Sequence, residues 1–284
     1  MAVDVMQIPW DSGHRARRMG AGPLYLIEHG LLESLTDARL IAIEPHGEPP
    51  TEIGTAFELH RALSCAVAAA VQAGRLPLVL SGNCNSAIGT VSGLSAATQD
   101  DGIGVLWFDG HGDSNTPETF TGTFLDAMGL STLTGRCWQA LCATIPGYRP
   151  VPDDAVILVG GHGMDSGARS VLAASQITTI PPEALRTRDA LPAALAALQK
   201  RGVTRLYVHL DVDVIDAVYA PANAFAPKGG LRPEEVLDAV ALAGHDFHIA
   251  AACVASYDPA FDRENRILAG AQGFLQTVAS LQAG

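Results

Sequence analysis

The chain of 284 residues carries 30 acidic against 18 basic side chains, a formal charge of −12, which argues against a broad basic surface for nucleic acid. Its composition, 48% hydrophobic and 17% charged, excludes a disordered chain and predicts a packed globule that buries about three quarters of its unfolded surface without disulfides. The N-terminal stretch with Asp4, Asp11 and Arg15 lacks the basic start and apolar middle of a secretory signal, and no run approaches the ~18 apolar residues of a membrane span. The expectation is a cytoplasmic protein that neither inserts in a membrane nor binds nucleic acid.

In chain order, short Val/Ile/Leu-rich runs alternate with alanine-rich segments of helical period. A strand is predicted at 38–43, then a helix at 52–73 with Thr51 as N-cap and Gly74 at its end, then a strand at 76–80. A helix at 85–96 and strands at 104–108, 155–159 and 176–180 follow. Next come a helix at 189–200, capped by Asp189 and ended by Gly202, and a strand at 205–210. A helix at 232–243 has Pro233 just inside its start, and a strand at 248–254 and a helix at 263–281 complete the set. With no linker, repeat or low-complexity tract, the pattern is one domain over 1–284, strands joined by crossover helices in a mostly parallel sheet.

In such sheets ligands sit beyond the carboxyl ends of the strands. Ser81-Gly82-Asn83-Cys84-Asn85 follows one predicted strand, Asp109-Gly110-His111-Gly112-Asp113 the next, and Asp211-Val212-Asp213 with Asp216 a third. Alternate side chains of an extended segment point the same way, so Asp-x-His-x-Asp and Asp-x-Asp each aim several ligands in one direction. Aspartate is depleted in strands and rarely buried unpaired, so this concentration needs a reason that turns do not supply. Divalent cations supply it. A mixed carboxylate and imidazole set suits manganese, iron, cobalt or zinc better than magnesium, and paired metals can make hydroxide from water at neutral pH. The five cysteines, Cys65, Cys84, Cys137, Cys142 and Cys253, form no C-x-x-C pair and read as buried hydrophobes, Cys84 excepted.

The segments from Trp107 to Pro117 and from Leu210 to Asp216, the latter followed by Pro227-Lys228-Gly229-Gly230-Leu231, resemble motifs of the ureohydrolase family (arginase, agmatinase, formimidoylglutamase). Those motifs are Asp-Ala-His-x-Asp running into Asn-Thr-Pro, and a late Asp-x-Asp-x-x-Asp. The resemblance covers the chain from about residue 22 onward and implies a three-layer α/β/α domain with a binuclear manganese site, other divalent transition metals being admissible. It assigns Asp109 and Asp211 as bridging ligands, His111 and Asp213 to one ion, and Asp113 with Cys84 to the other.

Cys84 and Asn83 replace the histidine and aspartate of the family's first motif, Gly-Gly-Asp-His. A thiolate is softer and prefers zinc. Asp126 stands where arginases carry a proton-shuttling histidine, and serves either in proton transfer with a raised pKa or as an N-cap before a helix at 127–132. The family's guanidinium-orienting glutamate has no counterpart in Ala255-Ser256-Tyr257-Asp258-Pro259. Asn115 matches a contact to the substrate α-carboxylate and Asp165 an acid near the α-amine, while Thr121 and Thr123 flank Gly122 where the family has a serine.

These matches imply an amidinohydrolase acting on a guanidino amino acid through a metal-bridging hydroxide. Cysteine in the first motif with Phe-Leu-Asp in place of the histidine resembles the hydroxyarginine amidinohydrolase branch of D-cycloserine biosynthesis. The hydroxyarginine amidinohydrolase in that branch cleaves Nω-hydroxy-L-arginine, whose head is less basic than arginine's, to L-ornithine and hydroxyurea. The alternatives are an arginase- or agmatinase-type hydrolase of another guanidino substrate, or a degenerate paralogue acting as a partner or binding subunit. The family also implies a homo-oligomer, a trimer or hexamer.

Overall fold

The computed structural model describes residues 1–47, 49–98, 102–120, 122 and 124–281. Its strands are β1 (Val3–Ile8), β2 (Trp10–Asp11), β3 (His14–Arg15), β4 (Ala38–Ala42), β5 (Leu76–Ser81), β6 (Ile103–Asp109), β7 (Val156–Gly160), β8 (Thr178–Ile180), β9 (Arg205–Asp211) and β10 (His248–Ala255). Eight form one sheet in the order β4-β1-β5-β10-β9-β6-β7-β8, with every pairing parallel, and β2 and β3 form a small antiparallel ribbon.

Period-2 alternation divides the sheet's side chains between two cores. Leu106, Phe108, Val208 and Val254 pack with Leu195, Val236 and Phe274, from the helices Ala190–Lys200, Pro233–Asp246 and Arg266–Leu281. Val105, Trp107, Tyr207 and Cys253 pack with Leu63, Val67 and Val91, from Glu52–Gln72 and Ala87–Thr98, on the other side. The result is a single three-layer α/β/α domain. No helix among the described residues is long and apolar enough to cross a membrane.

Each predicted strand and helix is present, with shifts at the ends. The strand expected at 176–180 is only Thr178–Ile180, the helix at 263–281 begins at Arg266, and that at 85–96 opens with a 3-10 turn, Cys84–Ser86. Thr51 caps its helix by accepting from Gly54 N–H at 3.1 Å, whereas Asp189 makes no capping bond with its side chain. Of the cysteines expected to be buried, Cys65 is exposed.

The largest omission is β1. Asp4 and Gln7 interrupt its apolar pattern, yet every residue of the strand is buried. Arg75 lies across Asp4 as an ion pair that also reaches Asp37, and Gln7 Nε2 donates to Pro23 O at 3.2 Å. Polar partners brought by the tertiary fold make the strand buriable. The helices Gly22–Glu28 and Ser166–Ala173 also lacked a sequence prediction.

Candidate metal centre

The four central strands β5, β10, β9 and β6 are neighbours, and their carboxyl ends deliver Cys84, Ser256, Asp211 and Asp109 to one place. Register fixes this convergence: Ala255 pairs with both Ser81 and Asp211. On the far side of β6, Gly160 (φ +116°) lets the chain turn against it, since a Cβ there would lie 2.3 Å from Asp109 O.

Two groups of ligand atoms result, each gathered within 4.8 Å: Cys84, Asp113 and Asp211, and Asp109, His111 and Asp213. All six residues predicted as ligands therefore come together. Backbone amides and one indole N–H hold the carboxylates in place. Asp211 accepts from Asp213 N–H at 2.8 Å, Asp213 from Gly110 N–H at 2.9 Å, and Asp109 from Trp107 Nε1–H at 2.9 Å. His111 Nδ1 lies 3.0 Å from Asp213 Oδ2, and the Cys84 thiol donates to Asp211 Oδ2 at 2.9 Å. Asp113 sits in the left-handed region at φ 41° and Ser256 at φ 64°, conformations that the surrounding packing must sustain.

The electrostatics call for cations. Burial, then the charges of neighbouring aspartates, raises Asp109, Asp113 and Asp211 above the usual carboxylate range. Burial opposes ionisation of Asp213 too, but its bond to His111 prevails and lowers it. Burial acts to lower His111, yet Asp213 and Asp109 lift it to about 9, the mark of an imidazole facing several carboxylates. Burial and Asp211 push the Cys84 thiol well above its ordinary value. Asp113 Oδ2 is buried with no hydrogen-bond partner. An orphaned buried carboxylate oxygen among thiol, imidazole and carboxylate donors fits a pair of divalent transition ions.

The cluster floors a cavity of about 480 Å³. Asp126, Asn115 and Asp165 line it, as the sequence motifs suggested. Asp126 caps no helix at 127–132. Its Oδ2 accepts from Cys84 N–H at 2.9 Å and from Asn83 Nδ2 at 3.0 Å, and its Oδ1 from Asn85 N–H at 2.8 Å. It therefore caps the turn carrying Cys84 and the helix beyond it, and burial, against those bonds, raises its pKa to about 7. Asn115 Nδ2 donates to Asp165 Oδ2 at 3.0 Å, while Asp165 Oδ1 caps Ser166–Ala173 through Ala168 N–H at 2.8 Å. Thr121 and Thr123 lie outside the described residues.

Sequence reasoning missed Ser12, Arg18 and Glu52, which reach the cavity from the N-terminal part, and Phe120, Phe124 and Phe225 on its outer wall. The turn after β1 signals the first two only once β1 is recognised. An aromatic in a Gly/Pro-rich loop was a signal available for Phe225. Ser256, in the segment already singled out, lines the cavity and lies with Oγ 3.3 Å from Cys84 Sγ.

A family model described as "Arginase family" matches residues 1–279. The arginase of Bacillus caldovelox is 29% identical over 285 residues, covering 93% of each chain, and its native structure at pH 5.6 superposes with a TM-score of 0.86 at 26% identity over 98% of each. Formimidoylglutamase from Bacillus subtilis, at 15% identity, shares the fold with a TM-score of 0.77 over 100% of this chain and 88% of its own.

Proposed function

The chain belongs to the arginase family, hydrolases of C–N bonds in linear amidines, and from that premise we propose that it cleaves the C–N bond of a weakly basic guanidine, releasing an amine. The observation that carries this reading is the six-donor cluster at the floor of a cavity where Ser256, rather than a carboxylate, follows β10. An uncharged hydroxyl there suits a head less basic than arginine's. Nω-hydroxy-L-arginine, which would give L-ornithine and hydroxyurea, carries such a head and is the compound the sequence resemblance indicates.

Cys84, Asp109, Asp113 and Asp211 would hold one ion, and His111 with Asp109, Asp211 and Asp213 the other. When bound, two divalent ions supply hydroxide from water at neutral pH and keep the carboxylates ionised. Manganese is the family expectation, and the thiol favours a softer ion such as zinc or cobalt. The protein's own part is to fix the donors through backbone amides and to place Asp126. Asp126 Oδ1 accepts a single hydrogen bond, which leaves a lone pair for the proton that a group of pKa about 7 can pass to the departing amine. The family resemblance also supports a homo-oligomer, a trimer or hexamer, that light scattering would size.

Incubation with manganese, cobalt or zinc and Nω-hydroxy-L-arginine, L-arginine or agmatine tests the reaction. Release of hydroxyurea or urea, fastest from the hydroxylated head, is expected, and no turnover of any guanidine with any of these metals overturns it. A second reading, a degenerate paralogue serving as a binding subunit, draws on the thiol that donates to Asp211 in place of an imidazole. Metal content separates the two, since catalysis needs both ligand groups filled.

A further inference from the structure

From the outer half of the cavity we infer that it prefers a guanidine with an uncharged apolar tail, aryl or alkyl, over the α-amino-acid tail of Nω-hydroxy-L-arginine; this rests on the guanidine head of the proposed function and replaces only the tail that the sequence resemblance indicates. Three phenylalanines from two separate loops form that half. Phe120 and Phe124 follow the Asp109–Asp113 segment, and Phe225 comes from the chain after Asp216. The rings of Phe124 and Phe225 stack with centroids 5.6 Å apart and planes 28° from parallel. Phe225 is nonetheless 50% exposed, a large apolar side chain left facing the opening of a polar site. Exposed aromatic surface continuous with a reaction cavity is where a ligand's own apolar part gains most on leaving water.

Charge points the same way. Among the described residues lining the cavity the sole guanidinium is Arg18, and buried Asp11 already engages it, with Nε 2.9 Å from Oδ2 and Nη2 donating to Oδ1 at 3.1 Å. Asn115, the expected reader of an α-carboxylate, gives one of its two amide N–H groups to Asp165 and carries no charge. Away from the metal ligands, a substrate carboxylate would find only Arg18, already paired with Asp11, as a cation, while an aryl or alkyl arm would meet the phenylalanine rings.

The test pairs molecules that share a head and differ in the tail. Calorimetry with the metal-loaded protein would compare 3-phenylpropylguanidine with L-arginine, and turnover would compare N-hydroxy-N′-(3-phenylpropyl)guanidine with Nω-hydroxy-L-arginine. The phenylpropyl compound should bind at least about tenfold more tightly, the ratio expected for one buried ring. Phe225→Ala should remove most of that preference, weakening the phenylpropyl compound far more than L-arginine, and Phe225→Leu should restore part of it. Equal or tighter binding of L-arginine, or a Phe225→Ala effect equal on both compounds, overturns the apolar subsite. If the binding preference holds but neither hydroxyguanidine turns over, the hydrolytic reading fails and the subsite stands.

Discussion

Asn83 Nδ2 donates to Asp126 Oδ2 across 3.0 Å, and the same amide group stands 3.3 Å from Asp11 Oδ1 while Asn83 Oδ1 accepts from Ser12 N–H at 3.0 Å. Both departures from the family's first motif and its proton-shuttle position thereby meet in one contact. An amide bridges two carboxylates that an aspartate at 83 would repel. Asn83→Asp should lower stability by about 1–3 kcal/mol, the cost of a broken buried hydrogen bond facing a like charge. Combining it with Asp126→His should recover most of that loss, a coupling that denaturant unfolding of the four variants would measure.

As a ligand, Cys84 would set which ion its group prefers. Equilibrium dialysis against equimolar manganese and zinc should leave zinc in the wild-type protein, and Cys84→His should shift occupancy toward manganese. Cys84→Ser should reduce the bound metal from about two ions per chain to about one. Unaltered metal content in Cys84→Ser would show that the thiol is no ligand.

Removing metal should destabilise the fold, because buried Asp109, Asp113 and Asp211 then resist ionisation and Asp113 Oδ2 has no partner. Thermal unfolding after chelation should show a lower midpoint. Readdition at about 100 times the dissociation constant should return about 2.7 kcal/mol per site. An unchanged midpoint would argue against metal at this cluster.

His60 and His209 are buried, and burial depresses each to about 3 from an ordinary 6.5. Both nitrogens of His60, and Nε2 of His209, have no hydrogen-bond partner. Between pH 6.5 and 3 the unfolded chain binds protons that the folded chain refuses, so stability is fully present above 6.5 and falls as pH drops. The slope is about 1.4 kcal/mol per pH unit for each histidine. His60→Phe, which keeps the packing on Phe57, should flatten the unfolding free energy against pH by about one proton, and an unchanged slope would reject this origin.

Much of the scaffold was legible because its signals are local. Val105 and Trp107 face one side of β6 and Leu106 and Phe108 the other, so a run apolar at every position announces a strand buried on both faces. Gly74 and Gly202, at φ +68° and +81°, end their helices where the sequence placed them. The Asp-x-His-x-Asp and Asp-x-Asp segments likewise declare ligand-rich strand ends without reference to any other part of the chain.

What escaped the sequence depends on partners far away in it. β1 reads as broken until Arg75, 71 residues on, covers Asp4. Asp126 looks like a cap for the helix that follows it, but its carboxylate serves amides 41 and 42 residues earlier. Phe124 and Phe225 acquire a shared role only when two loops meet over the cavity. By itself the sequence determined the layered α/β domain, the family and the residues able to hold metal, since periodicity and ligand spacing are properties of short segments. Tertiary structure alone decided which carboxylates lie within reach of one another, which donors are already spent and what lines the cavity, because burial and hydrogen bonding are set by whatever the fold brings alongside.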